Sequence, residues 1–232
     1  AAGVYDQGYA PYRFVVPSKP KIAAGIHHLR EGFWIDQTYW LIVDRMNAKS
    51  RHSYTRVFQS SPGTKVYDLG SGVALEAQKQ NASLLLLNPI EKPISIEQAI
   101  GETPSRSIGG GWASNGFRGH KTPAPRINLH QVSEGAESMF TLLVPGDRFD
   151  AGDVPVFLLS PFRNGSGTAL TIEFEDVFDT LIVSTNTARK SFGEFETSGY
   201  HAAWRTREGG DQHRLLFEIS DSGFAEAFYD WH

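Results

Sequence analysis

The 232-residue chain carries 22 basic and 26 acidic residues, a formal net charge of −4, so bulk charge gives no pull toward nucleic acid. Hydrophobic residues make up 40% and charged residues 21%, which fits a globular chain with a sizeable core and excludes a disordered one. The absence of cysteine excludes disulfides, a thiolate nucleophile and any Cys-based zinc site.

No apolar run approaches the roughly 18 residues needed to cross a bilayer, so no membrane partner is expected. The opening Ala1-Ala2-Gly3-Val4 has no signal-peptide character and suits the residues that follow a processing site. Strand candidates then follow in chain order: 28–35, 39–46, 52–59, 73–77 and 83–87. The last of these contains Leu84–Leu87, the longest apolar stretch, read as a buried strand.

Beyond it, 125–131 alternates Ile127 and Leu129 against Arg126, Asn128 and His130. Further strands are expected at 137–144, 154–160, 168–175, 177–184 and 213–220. In 168–175, Leu170, Ile172 and Phe174 share one face; in 213–220, Leu215, Phe217 and Ile219 do. A period of two with half the positions polar is the signature of half-buried antiparallel strands. Turn chemistry separates them at Ser61-Pro62-Gly63, Asn88-Pro89, Pro145-Gly146-Asp147 and Asn164-Gly165-Ser166-Gly167. Only 95–101 and 222–229 have a helical look. The expected fold is all-β, a large antiparallel β-sandwich, with residues 1–232 forming a single domain.

The segment 101–125 interrupts the rhythm with Gly109-Gly110-Gly111-Trp112, Asn115-Gly116-Phe117-Arg118-Gly119-His120-Lys121 and Pro123-Ala124-Pro125. Long irregular loops within compact domains are disproportionately functional. Sugars offer apolar C–H faces and hydroxyls, and acidic sugars add carboxylates or sulfates. Trp112, Asn115, Arg118, His120 and Lys121 match those groups by stacking and charge-assisted hydrogen bonding, and are the candidate substrate-binding residues.

Other motifs carry less. The sequence holds no nucleophile elbow, phosphate loop, HExxH or calcium loop. Adjacent His27 and His28 point to opposite faces of a strand, so no metal ligand is assigned. Asp44 and Arg45 read as a strand-end ion pair. Asn81-Ala82-Ser83 and Asn164-Gly165-Ser166 match the glycosylation acceptor pattern, which occurs often by chance.

The stretch His28-Leu29-Arg30-Glu31-Gly32-Phe33-Trp34-Ile35, followed by Tyr39-Trp40-Leu41-Ile42-Val43-Asp44-Arg45-Met46, resembles the C-terminal sandwich of heparinase II/III-like polysaccharide lyases. His52-Ser53-Tyr54, Ser83–Leu87, Gly111–Ser114, Pro123–Pro125 and Thr141–Gly146 continue the resemblance in family order, across roughly residues 1 to 184.

The resemblance implies an N-terminal α/α toroid ahead of the sandwich and a cleft between them. It also implies cleavage of acidic, uronate-containing polysaccharide by β-elimination: a base removes the C5 proton, and an acid protonates the departing C4 oxygen. Tyr5, Tyr9 and His28 fall near the family's cleft-facing segments and are the catalytic candidates. The toroid and the first part of the usual sandwich, which often holds a metal ion, have no counterpart here. The expectation is therefore one product of a cleaved precursor or one part of a split enzyme, with no cofactor in this chain and a periplasmic or secreted location. Two rival readings are a non-catalytic carbohydrate-binding or structural sandwich, and a self-sufficient jelly-roll lyase. The second rival lacks the Gln-Ile-His and Arg-x-Glu-Leu-Arg motifs, with Gly25-Ile26-His27 the nearest approach.

Overall fold

A computed structural model describes residues 2–5, 26–77, 81–89, 95–101, 110–114, 121–150, 152, 154–162, 167–174, 177–184, 188–207, 213–220 and 223–226. Among them the regular elements are all strands: β1 (Ala2–Tyr5), β2 (Ile26–Ile35), β3 (Tyr39–Gln59), β4 (Lys65–Asp68), β5 (Gly72–Ala77), β6 (Ala82–Leu87), β7 (Ser95–Ile100), β8 (Trp112–Ser114), β9 (Lys121–Pro123) and β10 (Pro125–Gly146) in the first part of the chain. They continue with β11 (Val156–Pro161), β12 (Gly167–Phe174), β13 (Val177–Ser184), β14 (Lys190–Phe192), β15 (Phe195–Thr197), β16 (His201–Arg207), β17 (His213–Ser220) and β18 (Gly223–Glu226). All the pairings are antiparallel, as the period-two patterning requires. The fold is all-β.

The chain divides into two compact units, Ala1–Phe149 and Asp150–His232. In the first, an eight-stranded sheet runs β1-β2-β3-β10-β6-β5-β4, with β7 also paired to β10. In the second, a six-stranded sheet runs β11-β12-β13-β16-β17-β18, with a small β14-β15 hairpin beside it in sequence.

Sequence periodicity breaks β3 and β10 into two strands each, at the polar stretches near 47–51 and 132–136. In the structure each runs through, because the two strands pair with each other from Trp40↔Leu143 to Gln59↔Arg126. Backbone pairing satisfies the ladder whatever the side chains are. The polar stretch leaves its mark as a register shift between Ser133 and Gly135, where Gly135 takes a φ of +81°.

These long strands must also curl. Leu129 and Leu143 of β10 join one apolar cluster with Val73, Leu75 and Leu86, although a straight strand would hold them roughly 46 Å apart. The first unit thus folds its own sheet over, and the strand ends carrying Phe58, Ile96, Ile127 and Leu129 cover β5 and β6.

The helical look of 95–101 is overturned: Ser95–Ile100 is a strand paired to Pro125–His130. A six-residue segment has too little helical propensity to resist an open strand edge, and Ile96 gains a place in the core by pairing. Within 222–229, Gly223–Glu226 likewise extends the second sheet against Phe217–Ser220.

Candidate functional site

β2 and β3 form a hairpin closed by Ile35-Asp36-Gln37-Thr38, in which Thr38 N–H donates to Ile35 O at 2.8 Å. Asp36 and Gln37 both take positive φ, +42° and +58°, the signature of a primed turn matched to strand twist. The turn sets a regular register in which Arg30 lies opposite Asp44, His28 opposite Met46 and Trp34 opposite Trp40. Cross-strand partners share a face, so these six side chains occupy one side of the hairpin.

Asp44 is completely buried and gathers this face. Arg30 clamps it with two bonds, Nε to Oδ1 at 2.6 Å and Nη2 to Oδ2 at 2.8 Å. His28 Nε2 lies 2.7 Å from Oδ1. Burial pushes the Asp44 carboxyl up, but the bonds and charges of His28 and Arg30 outweigh it and hold the group below its ordinary value. An ionised Asp44 can only accept, so His28 Nε2 donates to it.

Arg56, also buried, stands behind this group. Its Nη1 donates to Phe140 O and Thr141 Oγ1, each at 2.7 Å, and its Nη2 donates to Asn88 Oδ1. Burial lowers its pKa to about 10, opposed by the charge of Asp44, so it stays a cation at neutral pH. The expected Asp44–Arg45 strand-end pair is therefore replaced: Asp44 lies mid-strand and bonds Arg30 and His28, while Arg45 Nε bonds Glu31 Oε2 at 2.8 Å. Neighbouring residues of a strand face opposite ways, and each found its partner across the ladder. His27 is exposed and His28 half-buried, in accord with their opposite faces.

Tyr5 of β1 is the register partner of His28, which puts two catalytic candidates side by side on adjacent strands. Tyr9 lies outside the described residues.

Of the substrate-binding candidates, Trp112 and Lys121 sit on the β8–β9 hairpin, with Lys121 opposite Ser114 and Trp112 opposite Pro123. Lys121 Nζ lies 4.4 Å from the centre of a Trp112 ring, a cation–π contact. A sugar stacking on that face must displace the ammonium. Gly111 anchors the hairpin: its carbonyl accepts from both Gly101 N–H and Ala124 N–H at 2.7 Å. Asn115, Arg118 and His120 lie outside the described residues. The irregular loop expected over 101–125 thus contains at least one short hairpin. The His28 and Trp112 groups belong to different sheets, the eight-stranded one and the two-stranded β8–β9 one.

Sequence reasoning missed three arrangements. One is the joining of Arg30 and His28 on the buried Asp44, signalled only by a charge inside the apolar run Leu41-Ile42-Val43-Asp44. Another is a chain on the β3–β10–β7 surface: Thr55 Oγ1 meets His130 Nδ1 at 2.8 Å, and His130 Nε2 meets Glu97 Oε2 at 3.0 Å. The bond from His130 is the main influence holding the Glu97 carboxyl low. The third is the pair Trp34 and Trp40, each 42% exposed with ring centres 5.0 Å apart. Among the described residues no three His, Asp or Glu side chains are grouped to hold a metal ion, and no helix is long and apolar enough to cross a membrane.

No protein-family model and no curated protein matches the sequence. Solved structures do. A structure of heparinase III superposes with a TM-score of 0.54 at 12% identity, covering 69% of this chain and 24% of that one. A mutant of the heparan sulfate lyase HepC from Pedobacter heparinus gives a TM-score of 0.51 at 13% identity, again covering 69% of this chain and 24% of its own. The chain thus spans about a quarter of the length of the lyases it matches. At these identities the likeness is one of fold. Over that 69% the all-β architecture described above is a fold shared with these heparinase structures.

Proposed function

We propose that this chain is the C-terminal sandwich portion of a polysaccharide lyase that cleaves uronate-containing polysaccharide by β-elimination. In this reading an N-terminal α/α toroid supplies the opposing wall of the cleft, and the enzyme works in the periplasm or outside the cell. The observation that carries it is the fold shared with structures of the heparan sulfate lyase HepC and of heparinase III, of which the chain spans about one quarter. The hairpin geometry supports it locally. The bond to Asp44 orients the His28 ring, and Tyr5 is its cross-strand neighbour in the register. His28, Tyr5 and Tyr9 would serve in proton transfer, while Trp112, Asn115, Arg118, His120 and Lys121 would hold the sugar chain.

The test is the near-ultraviolet absorbance of unsaturated uronate products on heparan sulfate, hyaluronan, chondroitin and alginate, with the chain alone and joined to a toroid segment. Product only with the toroid is expected, and the rate should fall by about two orders of magnitude in His28→Ala. Product from the chain alone would place a complete active site within these residues. Silence in both arms would favour the second reading, a non-catalytic carbohydrate-binding module, which the exposed Trp34–Trp40 pair supports on its own.

The single-domain organisation of 1–232 belongs to the same proposal. Scanning calorimetry should then give one transition whose calorimetric and van't Hoff enthalpies agree. Two resolved transitions would make Ala1–Phe149 and Asp150–His232 independent domains.

A further inference from the structure

Two tryptophans facing water across one hairpin need an explanation, because large aromatic side chains normally bury their area. Trp34 and Trp40 are direct cross-strand partners, each 42% exposed, with rings 5.0 Å apart and tilted by 33°. The primed turn at Asp36 and Gln37 holds them opposite each other, so the platform is built into the fold.

The same face continues along β2 through Gly32 to Arg30 and His28. Gly32 adds no side chain between the rings and the guanidinium. The Arg30 side chain is 45% exposed even though one edge of it clamps Asp44. Asp44 itself is completely buried, so the charge the surface presents here is that of the guanidinium. The order along the strand is thus an aromatic platform, a gap, an oriented cation and an imidazole. From Trp34 to Arg30 is about 13 Å of extended backbone, further than one pyranose ring reaches.

We infer that the Trp34–Trp40 platform and Arg30 form a binding strip for successive residues of an acidic polysaccharide, the rings stacking on one sugar and Arg30 pairing with the carboxylate or sulfate of another. The inference takes its polymer class from the proposed function and adds a site on the β2–β3 hairpin. Charge selects this occupant over others. A protein partner of useful affinity would need a broader apolar patch than two rings flanked by Asp36, Gln37 and Thr38. Single-stranded nucleic acid also stacks on aromatic rings, but it calls for a run of cations along its closely spaced phosphates, whereas this face sets a single guanidinium about 13 Å from the rings.

The experiment titrates the full 232-residue chain with heparan sulfate, hyaluronan and alginate oligosaccharides, with neutral dextran oligosaccharides, and with single-stranded DNA. Binding is read by calorimetry and by tryptophan fluorescence. The acidic sugars should bind and dextran should not. W34A/W40A should weaken binding by at least about ten-fold, and R30K, which keeps the charge but loses the planar fork, should weaken it less. Circular dichroism of each variant separates lost binding from lost folding, and W34F/W40F, which keeps the rings, should restore most of the affinity.

Equal affinity of wild type and W34A/W40A, binding of dextran or DNA as tight as that of the acidic sugars, or no sugar binding by the wild type would each overturn the strip. Acidic-sugar binding that depends on the tryptophans, with no unsaturated product in the toroid-joined enzyme, would remove the lyase reading and leave the strip standing. Product formation with binding indifferent to Trp34 and Trp40 would do the reverse.

Discussion

Replacing Asp44 by alanine should lower the folding stability of the first unit by about 3–5 kcal/mol, enough to threaten folding outright. The carboxylate has no exposure to water, and three bonds from Arg30 and His28 end on it. Removing it leaves the buried Arg56 and the partly buried Arg30 facing one another without a counter-charge, a repulsion already felt at Arg56. Asp44→Asn keeps the shape but not the charge, and should recover only part of the loss. The midpoint of urea unfolding measures both.

Acid gives a second reading of the same group. The folded pKa of Asp44 lies below its unfolded value, so its contribution is fully present above about pH 4 and disappears as pH falls through the folded pKa. Wild-type stability should therefore drop more steeply below pH 4 than that of Asp44→Asn. Parallel curves would mean that Asp44 is not the ionised centre of the cluster.

Gly111→Ala is the second large effect expected, at least about 2 kcal/mol. Gly111 takes a φ of +75°, and a Cβ there would lie 2.3 Å from Ala99 O and 2.6 Å from Ile100 Cα, backbone atoms of β7 that cannot step aside. The substitution should push the β8–β9 hairpin off β7 and break the two bonds to the Gly111 carbonyl. Trp112 fluorescence should then shift, because the ring moves with the hairpin. Gly63→Ala is the control: its φ of +78° is equally unfavourable to alanine, but nothing lies within 4 Å. It should cost only about 1 kcal/mol, so the difference between the two isolates the close approach.

Part of the geometry of the β2–β3 hairpin was legible in the sequence and part of it was not, for physical reasons. The opposed faces of His27 and His28 follow from a local period of two, which a strand imposes whatever surrounds it. The partner of Asp44 does not. Arg45 is adjacent in sequence, yet the ladder puts Arg30 opposite and leaves Arg45 to Glu31. In the same way Thr55, His130 and Glu97 come from three strands, and only the pairing of β3, β10 and β7 assembles them.

The sequence by itself determined that the chain is all-β and the approximate bounds of strands such as Gly72–Ala77, Ala82–Leu87, Gly167–Phe174, Val177–Ser184 and His213–Ser220. It offered no strand at Lys65–Asp68 or His201–Arg207. Alternation of side chains and the conformational limits of Gly, Pro and Asn are local properties. Only the tertiary structure decided that β3 and β10 run unbroken past their polar stretches, that Ser95–Ile100 joins a sheet, that Asp44 is buried and that Trp34 and Trp40 are not. Periodicity says which residues share a face, but which face meets water depends on what packs against it from distant parts of the chain. Asp44 and Trp40 lie on the same face of one strand, four residues apart, and that difference in cover buries the charge and exposes the ring.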